Sequence, residues 1–229
     1  MKLSYRLKQI ADLISKYKNG EVLSDIGTDH AYLPCYLVEN HIITQAYACE
    51  VANGPYQSSL ATISQHQLQD QVIALLGDGL DPIKDKQSDM IVIAGMGAYL
   101  ISEILEKNFN CLKQVKVLFL QPNANSDHLR KYLFEHGLMI IDEKMVKDGY
   151  HIYEMMVVCH QIADMKYDEY DILFGPVLKQ HKDSLFIEKW QHQKHVFENI
   201  IKDLDADHPR YIELSHKIKM IEVVLDESL

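Results

Sequence analysis

The feature that most restricts the fold of this sequence is a regular alternation of short apolar runs with longer amphipathic stretches. The short runs predict β-strands at residues 21–26, 45–50, 71–76, 89–95 and 115–121. The longer stretches predict helices at residues 32–41, 54–66, 98–107 and 126–136, and a further helix is predicted at 6–17. Because strands that alternate with helices form βαβ units, the pattern predicts a parallel sheet with helices on both faces.

The last two predicted strands break this alternation. Residues 138–146 and 151–159 are strand-like and are separated only by KDGY, in which Asp148-Gly149 is a strong hairpin signal. An α/β sheet that closes with an antiparallel hairpin resembles the class I S-adenosylmethionine-dependent methyltransferases, whereas a wholly parallel sheet is more typical of a dehydrogenase. The predicted fold class is therefore α/β, with a Rossmann-like methyltransferase sheet of seven strands whose last hairpin is antiparallel.

A second domain is predicted after Cys159, where the character of the sequence changes. Two stripes of mostly apolar residues repeat at alternating spacings of three and four, joined by a short segment with aspartates and a proline. Such stripes predict an antiparallel helical hairpin of the coiled-coil type. The first stripe is Phe186, Trp190, Gln193, Phe197, Ile200 and Leu204, and the second is Tyr211, Leu214, Ile218, Ile221 and Leu225. We predict a methyltransferase domain at residues 1–162 and a helical coiled-coil domain at 163–229.

Charge and composition restrict the classes of function. The net charge of -10 argues against a general nucleic-acid binder, but residues 1–20 carry five basic side chains against the single Asp12. This basic segment is either an attraction site for a polyanion or an ordinary solvated helix face. No apolar run is long enough to cross a bilayer, and the charged N-terminal segment is unlike a signal peptide. The four cysteines lack CxxC spacing, which favours reduced thiols in a cytoplasmic protein over a metal site or disulfides.

Polar residues and glycines recur at the predicted carboxyl ends of five strands. In a sheet of this kind, ligands bind at that edge, where the strand order reverses. Each of these residues also has an ordinary structural role open to it, as a turn residue, a strand-end carboxylate or, for His30, a structural hydrogen-bonding group. Their recurrence at five successive strand ends favours a binding site. Its predicted members are Asp25, Gly27, Asp29, His30, Glu50, Val51, Asp78, Gly79, Gly95, Met96, Gln121 and Asn123.

The chemistry of the first loop indicates the type of ligand. Gly27 allows a sharp turn against a ligand, Glu50 can accept two hydrogen bonds from a ribose, and Asp78 can accept one from the amine of adenine. These three residues suit NAD as well as S-adenosylmethionine. A diphosphate needs bare backbone amides at a helix N-terminus. Asp25 and Asp29 would repel a diphosphate and attract the ammonium and sulfonium groups of S-adenosylmethionine, so the loop favours that cofactor.

The order and spacing of four motifs resemble one family in particular. RLKQIADLI…DIGTDHAYLP, GDGL, IAGMG and QPN are similar to motifs of the bacterial tRNA (adenine-22)-N1-methyltransferase family. The similarity extends from about residue 6 to residue 159, and the predicted helical hairpin agrees with that family's coiled-coil domain. DIGTDHAYLP is the most specific of the motifs. Two departures are visible: Ala98 stands where the family commonly has glycine, and the body is more acidic than a tRNA-binding protein suggests.

The resemblance implies a direct transfer of a methyl group from S-adenosylmethionine to N1 of an adenine in tRNA. Because N1 carries a lone pair, alignment of the reactants is expected to matter more than a strong base. Asp29 is expected to stabilise the charge that develops on the adenine or to accept a proton from it. Gln121 and Asn123 are expected to read the base edge or to orient Asp29. Tyr32 is expected to stack on the base, and Arg6 to belong to the cofactor-binding residues.

The resemblance also implies tRNA as the partner. We expect the basic N-terminal helix and the C-terminal hairpin to hold the tRNA backbone, which makes binding salt-sensitive. The target adenine must be unpaired or extruded before it can react. A cytoplasmic protein without a metal site or membrane contact is expected, with a monomer favoured.

Two rival functions are open at the level of the sequence. A methyltransferase that acts on a protein or a small metabolite would suit the acidic surface, although the sequence lacks the NPPY-type loop common in enzymes that modify amide nitrogens. A non-catalytic cofactor-binding adaptor that works through its coiled coil is the other alternative. The presence of Asp29 beside the other site residues argues against the adaptor.

Overall fold

A sheet of seven strands forms the centre of the first part of the chain. The computed structural model describes residues 1–160 and 166–226. Its strands are β1 (Val22–Ile26), β2 (Gln45–Glu50), β3 (Val72–Leu76), β4 (Met90–Met96), β5 (Val117–Pro122), β6 (Leu138–Asp148) and β7 (His151–His160). Their order in the sheet is β3-β2-β1-β4-β5-β7-β6. The first five strands pair in parallel, and β7 is antiparallel to both β5 and β6. The predicted fold class is confirmed.

Five helices cover this sheet at bounds within about two residues of those predicted. They are α1 (Tyr5–Tyr17), α2 (Tyr32–Glu39), α3 (Asn53–Gln65), α4 (Ala98–Lys107) and α5 (Ser126–Glu135). The start of α1 is capped by Ser4, whose hydroxyl oxygen accepts a hydrogen bond from the backbone N–H of Leu7 at 3.3 Å. Such a cap satisfies one of the amides that have no partner within the helix.

The sheet separates two apolar layers, and β4 shows how the sequence produces them. Met90 and Val92 belong to the layer that contains the buried faces of α1, α2 and α3. Ile91 and Ile93 belong to the layer that contains α4 and α5. Because successive side chains of a strand point to opposite faces, one apolar run supplies both layers. Full burial of each such side chain contributes about 1.5–3 kcal/mol.

The hairpin that closes the sheet turns one residue later than its sequence signal indicates. The strands pair from Leu138 with His160 to Asp148 with His151, so the connection consists of Gly149 and Tyr150. Gly149 has a φ of +62°, the left-handed conformation that a tight two-residue connection requires at its first position. Asp148 is thus the last residue of β6, and its carboxylate accepts a hydrogen bond from the backbone N–H of Arg6 at 3.2 Å.

A buried group of three charged residues joins α5 to this hairpin. Arg130 is fully buried, and its Nε donates to Glu143 Oε1 of β6 at 2.8 Å. Its Nη2 donates to Glu154 Oε2 of β7. Both glutamates are also buried. The sequence gives no signal that Arg130, Glu143 and Glu154 are buried, because charged residues in amphipathic segments normally lie on the solvent face.

Residues Tyr167–Leu229 form a compact unit distinct from Met1–Lys166. Its described part contains α6 (Glu169–Phe174), α7 (Leu178–His181), α8 (Ser184–Ile201) and α9 (Pro209–Asp226). The predicted domain boundary between residues 162 and 163 lies outside the described residues. That boundary stays a prediction.

The two long helices of this unit are antiparallel. Lys194 in α8 forms an ion pair of 2.7 Å with Glu222 late in α9, and the Nζ of Lys182, just before α8, donates to the carbonyl of Val224 at 2.9 Å. The predicted pair of C-terminal helices is confirmed. The buried residues of α8 are Phe186 and Trp190, and those of α9 are Leu214, Ile218, Met220, Ile221 and Val224.

The predicted seam is wrong at the C-terminal end of α8. Ile200 is exposed, and Leu204 lies beyond Ile201, where the helix ends. The segment that follows is rich in aspartate and does not continue the helix to Pro209. Leu204, the last position of the predicted stripe, therefore does not lie on α8.

Candidate active site

The loops that follow β1 to β5 meet at one edge of the sheet, and the predicted site residues come together there. β1 pairs with β2 on one side and with β4 on the other, so the strand order reverses between β1 and β4. This is the position at which open α/β sheets bind ligands.

Gly27 makes the first tight turn of the site. Its φ is +70°, and its backbone N–H donates to the carbonyl of Cys49 at 2.9 Å. A Cβ at this position would lie 2.1 Å from Cε of Met96. The positive φ favours glycine here, and a Cβ would force the end of the Met96 side chain to move. Gly27 and Met96, both predicted members of the site, are thus neighbours at the ends of β1 and β4.

The three residues Asp29, His30 and Ala31 all have a left-handed backbone, with φ values of 41°, 74° and 57°. Such a conformation costs each residue on the order of 1–3 kcal/mol and persists only when its surroundings hold it. One holding contact is visible: Glu50 Oε1 accepts a hydrogen bond of 2.5 Å from the backbone N–H of Asp29. Another is the burial of Ala31 in the core. Glu50 therefore fixes the loop after β1 from the end of β2.

Asp25 is a buried carboxylate at the bottom of the site, with 4% of its surface exposed. The hydroxyl of Thr28 donates to its Oδ2 at 2.6 Å. The pKa of Asp25 is raised to about 7, chiefly by burial and in smaller part by the nearby carboxylates of Glu50 and Asp29, whereas the hydrogen bond from Thr28 and the charge of Arg6 act to lower it. A cation beside such a carboxyl group stabilises its ionised form and so lowers its pKa.

The carboxylate of Asp29 projects from the same loop into solvent. Its side chain is 81% exposed and lies 3.4 Å from Nε2 of His30. The ring of His30 stacks on that of Tyr32, with centroids 5.4 Å apart and planes 23° apart. Asp29, His30 and Tyr32 thus form one accessible group at the mouth of the site.

A groove of about 90 Å³ opens on the other side of Gly27. Among its lining residues are the predicted Val51, Asp78, Gly79 and Met96. Leu100 in the first turn of α4 also lines it, and the sequence analysis missed this residue. The sequence did carry a signal, because Leu100 is an apolar residue outside the helical stripe of Ala98, Ile101 and Leu105, and the structure shows it exposed.

Asp78 has a partner at the rim of this groove. The Nζ of Lys107 lies 2.8 Å from Asp78 Oδ2 and 2.8 Å from Asp81 Oδ2. Hydrogen bonds to both carboxylates raise the pKa of Lys107. The lysine holds Asp78 at the groove and leaves that carboxylate a second oxygen for a ligand.

A chain of hydrogen bonds connects the loops after β4 and β5. Gln121 is 1% exposed, and its Nε2 donates to Asn123 Oδ1 at 3.1 Å. Asn123 Nδ2 in turn donates to the carbonyl of Gly95 at 2.7 Å. Neither amide hydrogen-bonds Asp29 within the described residues. Their contacts favour a bracing role over the predicted orientation of Asp29, and contact of either with the base edge stays a prediction.

Arg6 reaches this chain from α1. Its Nη1 donates to Gln121 Oε1, and its guanidinium lies 5.5 Å from the ring centre of Tyr153. A Cβ on Gly95, whose φ is +81°, would lie 3.5 Å from Nη1 of Arg6. Arg6 therefore faces the site, as its prediction among the cofactor-binding residues requires.

The lysines of the basic N-terminal segment are largely paired. Lys8 bonds Asp12 at 2.6 Å, Lys16 bonds Asp142 at 3.1 Å, and the third pair is Lys18 with Glu21 at 2.9 Å. A paired lysine has less free charge to offer a phosphate. The predicted backbone contact of this segment with tRNA thus has less support than its composition indicates.

The remaining chemistry-bearing residues form no second centre in the described chain. The thiols of Cys35 and Cys49 are buried, and burial raises the pKa of each to about 12. Within residues 1–160 and 166–226, no three histidine, cysteine or acidic side chains are grouped so as to hold a metal ion. Across the same residues, no helix has both the length and the apolar character needed to cross a membrane.

The residues present fit S-adenosylmethionine. Asp25 and Asp29 flank the turn that would cradle the cationic end, and Val51 and Leu100 offer apolar surface beside Asp78 for an adenine. Negative charge in the first loop is unfavourable for a diphosphate. The sheet order with an antiparallel β7 between β5 and β6, together with this acidic edge, defines a class I S-adenosylmethionine-dependent methyltransferase.

Comparisons with known proteins identify the family. The family profile TrmK, tRNA (adenine(22)-N(1))-methyltransferase, matches residues 23–223. The tRNA (adenine(22)-N(1))-methyltransferase of Bacillus subtilis (strain 168) is 36% identical over 236 residues, which cover 99% of this chain and 98% of that protein. The chain belongs to this family and is an S-adenosylmethionine-dependent tRNA adenine-N1 methyltransferase. The predicted family, activity and cofactor are confirmed.

Solved structures agree with this assignment. A Streptococcus pneumoniae protein in complex with S-adenosyl-L-methionine has a TM-score of 0.89 and 36% identity, covering 98% of this chain and 100% of its own. TrmK of M. capricolum, in complex with the cofactor product S-adenosyl-homocysteine, has a TM-score of 0.89 and 29% identity, covering 99% of each chain.

Proposed function

We propose that this edge of the sheet binds S-adenosylmethionine across Gly27 and presents its methyl group to N1 of adenine 22 of tRNA beside Asp29. The observation that carries this assignment of roles is the convergence of Asp25, Glu50 and Asp29 on one glycine turn. When bound, the cofactor supplies an electrophilic methyl group on a sulfonium.

The adenosine half of the cofactor is assigned to the groove. Glu50 uses one carboxylate oxygen to hold the N–H of Asp29, and its second oxygen can accept from a ribose hydroxyl. Asp78, held by Lys107, can accept from the amine of adenine. Val51 and Leu100 border the groove with apolar surface. This assignment gives Glu50, Val51 and Asp78 each a contact suited to its chemistry.

The cationic half is assigned to Asp25 and its neighbours. A cation beside the buried Asp25 lowers the pKa of that carboxyl group from about 7 and favours the ionised form. Asp29 adds a second negative charge on the accessible side. The loop thereby selects a cationic methyl donor over an anionic dinucleotide.

The target adenine is assigned to the accessible group of Asp29, His30 and Tyr32. N1 of adenine reacts through its own lone pair, so the protein has only to align it with the methyl group. Asp29 can stabilise the positive charge that develops on the adenine or accept a proton from its amine. The stacked ring of Tyr32 offers a face on which the base can lie.

Nucleoside mass spectrometry of treated tRNA tests these roles. Wild type should produce 1-methyladenosine at position 22, and Asp29→Ala should lower kcat by on the order of 100-fold or more, with a smaller loss of cofactor affinity because one of the two negative charges beside the cofactor is removed. Asp12→Ala, which removes an exposed carboxylate paired with Lys8 on α1, is the matched control. Full activity of Asp29→Ala would remove Asp29 from the mechanism.

Three parts of the sequence-based account stay predictions. We propose that the C-terminal unit contributes to tRNA binding, that the protein is a monomer and that it works in the cytoplasm. Light scattering of the protein with and without tRNA would test the monomer, because a dimer would double the mass of the free protein.

A further inference from the structure

A second aromatic pair lies at the same edge of the sheet as the site. The rings of Tyr99 and His128 have centroids 4.0 Å apart and planes 34° apart. Tyr99 belongs to the first turn of α4, which follows β4, and His128 to the first turn of α5, which follows β5. The pair therefore stands on the two helix starts that follow the loops braced by Gln121 and Asn123.

Tyr99 has no evident role in the packing of α4. It is 57% exposed, whereas its neighbour Ala98 is fully buried. The next residue, Leu100, lines the cofactor groove. A large ring with one face on His128 and much of its surface in solvent is a candidate for contact with a partner.

Backbone contacts hold the two ring-bearing loops together. The N–H of Ala98 donates to the carbonyl of Ala124 at 3.3 Å, and the N–H of Asn123 donates to the carbonyl of Met96 at 2.7 Å. The position of the ring pair is therefore coupled to that of Met96, a neighbour of Gly27 in the site. The pair is a fixed part of the rim and not an isolated surface ring.

We propose that the Tyr99–His128 pair is a stacking platform for a nucleobase next to the target adenine of tRNA. This inference rests on the proposed function, which assigns the target base itself to Tyr32. Removal of the target adenine from its stack leaves a neighbouring base with an uncovered face. An exposed ring can cover it, and such stacking is tolerant of base identity because every base has a π-face. The two aromatic pairs then hold two successive nucleotides.

Steady-state kinetics with Tyr99→Leu and Tyr99→Phe test the platform. Tyr99→Leu keeps apolar bulk and helix propensity but removes the ring, and it should raise KM for tRNA by about tenfold. Tyr99→Phe should behave like wild type. Cofactor affinity should be unchanged in both, because Leu100 and not Tyr99 borders the groove. The control is Tyr132→Leu, which removes a ring stacked on His136 at 4.1 Å one turn further along α5.

A fluorescent base separates stacking from a change in fold. 2-Aminopurine placed at either nucleotide beside the target adenine should be quenched by wild type and Tyr99→Phe, and the quenching should be lost with Tyr99→Leu. Quenching that survives in Tyr99→Leu, or an unchanged KM for tRNA, overturns the platform. Failure of wild type to methylate position 22 overturns the proposed function instead, so the two failures are distinguishable.

Discussion

We expect Asp25 to make cofactor binding depend on pH. A cation at the site lowers the pKa of Asp25 from about 7, so the bound protein carries an ionised carboxylate and binding releases a proton below that pH. Affinity should therefore rise with pH up to about 7 and then level off. Each pH unit below the pKa should weaken binding by up to about tenfold. Calorimetry of S-adenosylmethionine binding between pH 5.5 and 8.5 measures this slope.

The control for this prediction is Asp25→Asn, which removes the titrating group and should flatten the profile. The same raised pKa has the opposite effect on the free protein. Since the native state holds the proton more tightly than the unfolded chain, this group's contribution to the free energy of unfolding falls as pH rises from about 4 to about 7. A cofactor affinity independent of pH in wild type would contradict the assigned position of Asp25.

Gly27 is a position at which one added methyl group should affect both folding and cofactor binding. Gly27→Ala combines a left-handed backbone with a Cβ placed 2.1 Å from Met96 Cε. We expect a loss of about 1–3 kcal/mol in the free energy of unfolding and a large loss of cofactor affinity. Gly54→Ala is the matched control, because nothing lies within 4 Å of its Cβ and it sits in α3. Denaturant titration of both variants should separate them clearly.

The sequence predicted the strand-end residues well because their spacing follows the chain. It missed Leu100 and the pairing of Asp78 with Lys107, because both depend on how α4 docks against the third loop. The sequence also did not predict the bracing role of Gln121. That amide accepts a hydrogen bond from Arg6, which lies more than a hundred residues earlier in the chain.

At the scale of elements, the fit of the closing hairpin depends on a buried charge group. Arg130→Met would leave Glu143 and Glu154 buried without their cation. We expect a cost of about 3–5 kcal/mol, partly recovered at low pH as the glutamates take up protons. Lys131→Met, one residue away and exposed in a pair of 3.8 Å with Glu135, should change stability by less than about 0.5 kcal/mol. Equal denaturant midpoints for the two variants would contradict this account.

The elements themselves were predictable where periodicity extended over whole segments. The hairpin was found from Asp148-Gly149, but its turn lies one residue later because the strand pairing continues to Asp148. The seam of α8 failed at Ile200 and Leu204 for a related reason. Heptad spacing shows which residues share a face, but it does not show where the helix stops.

At the scale of the whole molecule, an acidic protein must bind an acidic substrate. The net charge is -10, and Lys8, Lys16 and Lys18 are already paired. We therefore expect few phosphate contacts, with the logarithm of tRNA affinity falling against the logarithm of salt with a slope of about -2 to -4. A filter-binding series in KCl measures the slope.

Charge variants locate those contacts. Replacing Lys8, Lys16 and Lys18 together by glutamine should change the slope by less than about one, since a paired lysine must lose its partner to gain a phosphate. The comparison variant replaces the exposed Lys202 and Lys219 of the C-terminal unit. A slope reduced by about three in the N-terminal variant would restore that helix as the main phosphate contact.

The left-handed run from Asp29 to Ala31 limits how this loop can diversify. Aspartate, asparagine, histidine and glycine tolerate positive φ best, and β-branched side chains tolerate it worst. Random mutagenesis at position 30 should therefore yield few active residue types, because most side chains disfavour the left-handed backbone whatever their chemistry. The residue types that this loop can accept are therefore restricted first by stereochemistry.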